Sequence, residues 1–500
     1  MASTRRNPAL TQAKSRYGGV LKIIFPIEPK NIGYPGKIDR NTWYSMHPCL
    51  EGLTRIDEYG RPLPHLATGW TVSRDRKSIT LTLREGVKFH DETDFNAEAV
   101  KFNLDMVRVY RPQNLPSLEI MTSINVIDTY TVRINLVRYS NALLADLSTF
   151  AGLMVSPLSI IKHSEEWARE HAVGTGPFVF DSLQRGDLLK FKRFDGYWQK
   201  GKPYLDGIEF RFINDANKAK ETFLDGEAHL YHFFASKYAK NARAIASKGY
   251  EVVSLYCGLV GLLPDSNNLD SPFSDKRVRE ALEYAIDRPA IAKELGYGYW
   301  VALEQSFPQG HLAYNPNVKG RQYNPDKARK LLAEAGYSKG FTIKVPVEGK
   351  SISEDEMHSI QRYLKEVGII AEPLFLTPDE YGKMKNEGWE NGFTLTTIIP
   401  VHGNIAGHFE RELRPNYSTY ISMRRADEWG DTILKATATD NLEIHKKYVQ
   451  KLTKIIYDDA MFVPLFVTSV VVAKRGGVHN DGNCLVSRMH WTPENAWLSE

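Results

Sequence analysis

Apolar and polar residues alternate along much of this chain, and the alternation predicts strands. Ser78-Ile-Thr-Leu-Thr-Leu83 has the period of two expected of a half-buried strand. The same alternation recurs in Val126–Leu136, Leu188–Phe194 and Gly207–Phe212, and Val20–Phe25 is a short apolar run. From Ala97 on the period changes: Val100, Leu104 and Val107 share one face at helical spacing, with Asn96 placed to cap the helix. The stretch Leu50–Asp105 therefore reads strand, turn, strand, turn, helix, with Arg84-Glu-Gly86 as one tight turn. Further helices are predicted over Asn141–Phe150, before Gly226, over Pro325–Tyr337 with Gly336 as its C-cap, and over Asp440–Tyr457. A strand is expected at Glu251–Leu255, and Phe462–Val472 reads as a buried strand pair. Beyond Gly477 the chain is loop-like, with Trp491 and Trp497 as core anchors. Strands that alternate with helices past Pro264 argue for a mixed α/β lobe.

Composition narrows the class. A chain of 500 residues is too long for one core and predicts two or three lobes. With 42% hydrophobic and 25% charged residues it is ordinary for a globular protein. Mean hydropathy is −0.38 and no run of about 18 apolar residues occurs, so no membrane-spanning helix is expected. A net charge of +4, with both signs intermixed, is no nucleic-acid footprint.

The chemistry-bearing residues are sparse. Cys49, Cys257 and Cys484 form no CxxC pair, which excludes a zinc or redox motif of that kind and predicts three buried or half-buried thiols, with one bridge left open. No G-x-S-x-G, HExxH or related motif occurs, so no enzyme is expected; a peptidase borrowing the fold is the runner-up from another class. No cofactor is implied. Met1–Tyr17 is polar and basic, without the apolar core of a secretory signal.

Several blocks together carry a resemblance. Leu66-Ala67-x-x-Trp70, Ser73-x-Asp75, Leu83-Arg84-x-Gly86-Val87-Lys88-Phe89-His90-Asp91 and Phe95-Asn96-Ala97-Glu98-x-Val100-Lys101-Phe102 resemble the signature of the bacterial family 5 extracellular solute-binding proteins, which take up oligopeptides, dipeptides and nickel. Glu92 stands where the family usually has glycine. Gly174-Thr-Gly-Pro-Phe178, Asp195–Asp206 and Pro272–Arg288 match further family landmarks, and the resemblance spans roughly residues 18 to 497. In the last of these, Val278, Leu282 and Ala285 share a buried helical face, with Arg277 and Glu280 outside. The family also implies a strand at Thr342–Val347, a helix ending near Val367 and a strand ending near Phe375.

The resemblance implies an α/β, periplasmic binding protein-like two-lobe clamp (type II, cluster C) with an additional subdomain in the first lobe. The expected division is 1–17 as a disordered, non-native or post-signal segment, 18–45, 177–260 and 476–500 as lobe I, 46–176 as its extra subdomain, and 261–475 as lobe II. Crossings between lobes are expected at Leu259–Pro264 and Lys474–Val478, where glycines can absorb hinge rotation. A removed export signal is expected before Tyr17-Gly-Gly-Val-Leu-Lys-Ile23, which looks like the family's mature start, and the protein as a periplasmic or lipid-anchored extracytoplasmic one, with a cytoplasmic chain as the alternative.

The implied function is the substrate-binding protein of an ABC importer, capturing a peptide or peptide-like solute by lobe closure and delivering it to the permease, as a monomer. A receptor or chaperone that presents ligand to a signalling partner is a third possibility. Peptide binders of the family hold the ligand ammonium with an aspartate where the register here places His402, and the carboxylate with an arginine where this chain offers Lys350. Nickel-complex binders carry an arginine shortly before the segment matching Val155-Ser-Pro157, and Phe150-Ala-Gly-Leu-Met has none, but they place a histidine in the loop that here holds His402 and His408. Two histidines do not close a metal site, so a metal chelate or other non-peptide anion stays open as the alternative ligand and no protein-held metal is expected. Arg411, with Arg414 behind it, either attracts an anionic ligand or lines a solvated helix. Tyr34, Trp43, Phe150 and Trp389 are the candidate cleft aromatics, each with a core role as its other reading.

Overall fold

The computed structural model describes residues 16–38, 42–110, 115–233, 238–349, 352–400, 404–415, 419–486 and 490–499. Lys350 and His402 lie outside the described residues.

The strands that organise the molecule are β1 (Val20–Phe25), β2 (Ala67–Val72), β3 (Ser78–Leu83), β4 (Met121–Asp128), β5 (Thr131–Leu136), β6 (Phe178–Gln184), β7 (Leu188–Arg193), β8 (Gly207–Phe212), β9 (Leu230–Phe233), β10 (Glu251–Pro264), β11 (Val301–Ala302), β12 (Phe341–Glu348), β13 (Ile369–Leu376), β14 (Phe393–Pro400) and β15 (Val463–Lys474). Eleven of them form one sheet in the order β13-β12-β14-β10-β15-β9-β1-β8-β7-β6, with β11 on β15. The remaining four, β2-β3-β5-β4, make a separate sheet covered by helix α1 (Ala97–Tyr110). On β3 the inward residues Ile79, Leu81 and Leu83 are buried, as the alternation requires. Asn96 Oδ1 accepts from Ala99 N at 3.0 Å and so caps α1.

The chain folds as two α/β lobes. One apolar core fills the first lobe and runs from β1 and Trp43 through the small sheet to Trp491. Two more fill the second lobe, one between Phe273, Val278, Leu282, Val345 and Phe393, the other around Trp429, Phe409 and Leu452. Between Pro272 and Arg288 the helix is Lys276–Ala285, and Val278, Leu282 and Ala285 are buried while Arg277 is exposed. Arg279 is buried and spends its donors on the carbonyls of Phe273 (2.8 Å), Asp459 (2.7 Å) and Ala460 (3.1 Å), a structural use of the charge.

Several expectations need correction: Val126–Leu136 breaks at a turn between β4 and β5, and the helix expected over Asn141–Phe150 covers only Ala142–Asp146. Phe462–Val472 is not a strand pair: from Val463 on it is part of one twelve-residue strand, Val463–Lys474, buried at every position but its last. The predicted strand Glu251–Leu255 likewise runs on to Pro264. These two strands run without a break through the middle of the large sheet. Residues 251–256 of β10 pair with β15, and from Gly258 on β10 also pairs with β14 of the second lobe. The register of β10 against β15 shifts at Cys257, between Tyr256 and Gly258, and again between Val260 and Gly261, so β10 is bulged where it begins to pair on both sides. At Gly261 the backbones approach closely: a Cβ there would sit 2.5 Å from the Val463 carbonyl oxygen. The three cysteines are free thiols, Cys49 and Cys257 buried and Cys484 half-buried.

Candidate ligand site between the lobes

The second lobe holds a chain of polar and aromatic contacts on the segments that precede and follow β14. Helix Ile405–Leu413 follows β14 and is capped by Asn404, whose Oδ1 accepts from Gly407 N at 2.9 Å. His408 and Arg411 sit three residues apart on it and therefore touch: an Arg411 N–H donates to His408 Nδ1. Arg411 is buried and its Nε lies 3.2 Å from Glu412 Oε1. Lys385 Nζ approaches the other oxygen of Glu412 at 3.3 Å and lies over the Tyr420 ring at 4.7 Å. Trp389 meets the same ring edge to face, centroids 6.3 Å apart.

The row therefore runs Trp389, Tyr420, Lys385, Glu412, Arg411, His408. Burial pushes the Tyr420 hydroxyl above its ordinary range, so it stays a neutral hydrogen-bonding group. Trp389 is buried with Tyr420 in the second-lobe core, and its Nε1 has no hydrogen-bond partner there. The wall thus offers aromatic faces and a mixed-charge patch. It can orient a polar solute that carries both charges, and it carries no nucleophile–base pair. Among the described residues no group of three or more His, Cys, Asp or Glu side chains is placed to hold a metal ion.

The first-lobe candidates lie apart from this row. Trp43 is buried on a short 3-10 turn, with His47 at 4.6 Å and His490 at 4.9 Å between ring centroids. Phe150 is buried in the same core. Tyr34 is buried at the join with α1, its hydroxyl 3.1 Å from that of Tyr110, and burial together with that neighbour pushes its pKa up to about 12. The structure thus brings Trp389, His408 and Arg411 together and keeps Tyr34, Trp43 and Phe150 in first-lobe packing.

Sequence reading missed the seam where the lobes meet. Arg138, just past β5, forms an ion pair with Glu410, and Arg414 Nη2 donates to Glu119 Oε2 at 2.9 Å. Glu410 is nearly fully buried and burial raises its pKa, against the pull of Arg138. Glu410 and Arg414 are four apart and share a helix face, a signal the sequence did hold, but its partners sit some 270 to 295 residues away.

The sequence matches the family described as bacterial extracellular solute-binding proteins, family 5 Middle, over residues 61–397. The glutathione-binding protein GsiB of Escherichia coli O1:K1 / APEC is 36% identical over 439 residues, 85% of this chain and 84% of that protein. Among solved structures, NikA from Brucella suis in complex with Fe(III)-EDTA superposes with a TM-score of 0.81 at 22% identity, covering 95% of this chain and 100% of that one. A dipeptide binding protein from Pseudoalteromonas sp. SM9913 in complex with Met-Leu gives 0.80 at 20% identity, covering 96% and 100%. At these identities the two structures share the fold with this chain.

Proposed function

Because the chain belongs to the bacterial extracellular solute-binding proteins, family 5, we propose that its ligand is a short peptide or peptide-like solute of the class of glutathione, held between the lobes as they close. The protein is an extracytoplasmic substrate-binding component of an ABC importer and works with permease subunits. No described helix is long and apolar enough to cross a membrane. The observation that carries the ligand class is the 36% identity over 85% of the chain to a protein named for binding glutathione.

The row from Trp389 to His408 supports that reading, because a peptide-like zwitterion needs both signs of charge and an apolar wall. Lys385, Arg411 and Glu412 supply the charges, and Trp389 and Tyr420 the wall. We assign residues 18–45, 177–260 and 476–500 to the first lobe, 46–176 to its extra subdomain and 261–475 to the second lobe. We read the chain as a binding protein without a reaction of its own, as its relatives are.

Native mass spectrometry of the protein as purified, with calorimetric titration of reduced glutathione and a dipeptide panel, tests the ligand. Heat with glutathione or peptides, and co-purifying peptide masses, are the expected result. Silence with all of these beside a single non-peptide or metal-containing mass would overturn it.

A further inference from the structure

Asn141 stands immediately before the short helix Ala142–Asp146, yet its side chain makes no capping bond to that helix. Its hydrogen bonds run to the other lobe. Nδ2 donates to the carbonyls of Ala436 at 3.0 Å and Thr439 at 2.5 Å, and the backbone N–H donates to Thr437 O at 2.7 Å. Ala436 and Thr437 close the helix Trp429–Thr437, so these are carbonyls that a helix end leaves without intrahelical partners. Asn141 caps that helix from across the seam. Its Oδ1 meanwhile accepts from Asn404 Nδ2 at 2.7 Å, and Asn404 is the residue that caps the helix carrying His408 and Arg411. One primary amide, two donors and an acceptor on a short stem, joins both helix ends.

The surroundings fit a built contact. A Cβ on Gly407 would lie 2.8 Å from the Ala142 Cβ, so the two backbones meet where a larger residue would hold them apart. His445 Nδ1 lies 2.9 Å from Ala436 O and directs its proton there, bracing the carbonyl that Asn141 also uses; its 3.4 Å separation from Asn141 Nδ2 is then proximity only. The ion pairs Arg138–Glu410 and Arg414–Glu119 flank the contact.

We propose that Asn141 is a closure latch, a positioning residue whose bonds exist only with the lobes shut and which thereby sets the closed fraction and the rate of ligand release. The proposal rests on the clamp reading above. Because apparent affinity scales with the closed, binding-competent fraction, a residue that never touches ligand controls how long ligand stays. Asn404 transmits the closure to the ligand row by holding the first turn of the helix that bears it.

The test uses nitroxide labels at Val109→Cys and Ile444→Cys, exposed positions on opposite sides of the seam, in a Cys484→Ser background. Label distances are measured with and without saturating reduced glutathione. Wild type shows a short-distance population that Asn141→Ala and Asn141→Asp deplete by about tenfold, the second by facing a carboxylate toward carbonyl oxygens. Asn404→Ser, which keeps the helix cap but loses the amide donor, moves the distances the same way. Where glutathione binds, its dissociation quickens by a similar factor with little change in association. Asn141 bonds nothing within its own helix, so loss of its side chain leaves the first lobe intact, and unchanged melting of the ligand-free variants verifies that. Distance distributions that coincide with wild type in both conditions, or a variant that only melts earlier, overturn the latch. Failure of wild type to bind glutathione overturns the ligand reading alone, and the ligand-free distances still decide the latch.

Discussion

At the residue scale Glu51 shows what a single buried charge organises. It is buried in the first lobe and accepts from Thr175 Oγ1 (2.9 Å), Tyr197 Oη (2.8 Å), Trp198 Nε1 (2.9 Å) and His65 Nε2 (3.0 Å). Burial alone would raise its pKa, but His65 and the other donors outweigh it and hold the carboxyl below its ordinary range. Four donors converge on one carboxylate, so its removal strands all of them. Glu51→Ala is expected to cost about 3–5 kcal/mol in urea unfolding, and Glu51→Gln about 2–4, since an amide turns an N–H face toward groups that are themselves donors. A loss under about 1 kcal/mol for either would mean that the network contributes little. Each partner segment was legible as a landmark: the stretch from Leu50, the Gly174-Thr-Gly-Pro turn, and Gly196-Tyr-Trp198. Their meeting was not, because Thr175 and Tyr197 lie 124 and 146 residues from Glu51 and periodicity reports only neighbours within a turn or a pleat.

At the scale of elements, legibility followed amphipathicity. Strands with one wet face, such as β3 and β8, matched the alternation, and α1 began where Asn96 announced it. β15 carries no such signal: it is buried along all but its last residue and mostly apolar, with Thr468 and Ser469 side by side rather than alternating, so neither its length nor its unity can be read from period two. The row of Trp389, His408 and Arg411 was half legible, since the helix spacing joins the last two, while Lys385 and Tyr420 reach it only through tertiary packing. The β10–β15 pairing makes a sharp prediction. Gly261→Val places side-chain atoms against the Val463 carbonyl and the Ile398 methyl, where even a Cβ would lie 2.5 and 2.8 Å away, and is expected to lower stability by about 3 kcal/mol or more. Gly69→Ala on β2 meets nothing within 4 Å and should change stability by no more than about 0.5 kcal/mol. Parallel thermal melts compare the two, and equal shifts would refute the close-approach argument for Gly261.

For the whole molecule, the placement of buried imidazoles makes acid stability a property of one lobe. His47, His65 and His490 line a water-sized cavity beside Glu51, Arg55 and Glu494, and His90 packs nearby against Phe194. Burial, aided by Arg55 or a neighbouring imidazole, holds His47, His65 and His490 neutral, the last at a pKa of about 4, and burial brings His90 to about 4 and His232 to about 3. Such a group takes up its proton in the unfolded chain near pH 6.5 but in the folded chain only at lower pH, near 4 for His90 and His490 and near 3 for His232. Stability therefore falls as pH drops through that interval, by about 1.4 kcal/mol per pH unit for each group. Asp265 in the second lobe works the other way: burial raises its pKa to about 6, so its share of stability grows as pH falls from 6 toward 3.8. His229 and His445 are also held below their ordinary range by burial, while Glu283 and Glu410 are raised like Asp265, so most of the acid-sensitive imidazoles lie in the first lobe and the offsetting carboxyls in the second. Urea midpoints should fall steadily from pH 7 to pH 5, and His490→Gln should flatten that slope by one group's worth. Hydrogen exchange at pH 5 should then show β1, β3 and β9 losing protection before β12 and β14. An acid-insensitive midpoint, or loss of protection that begins in the second lobe, would show that these imidazoles are not what limits the fold in acid.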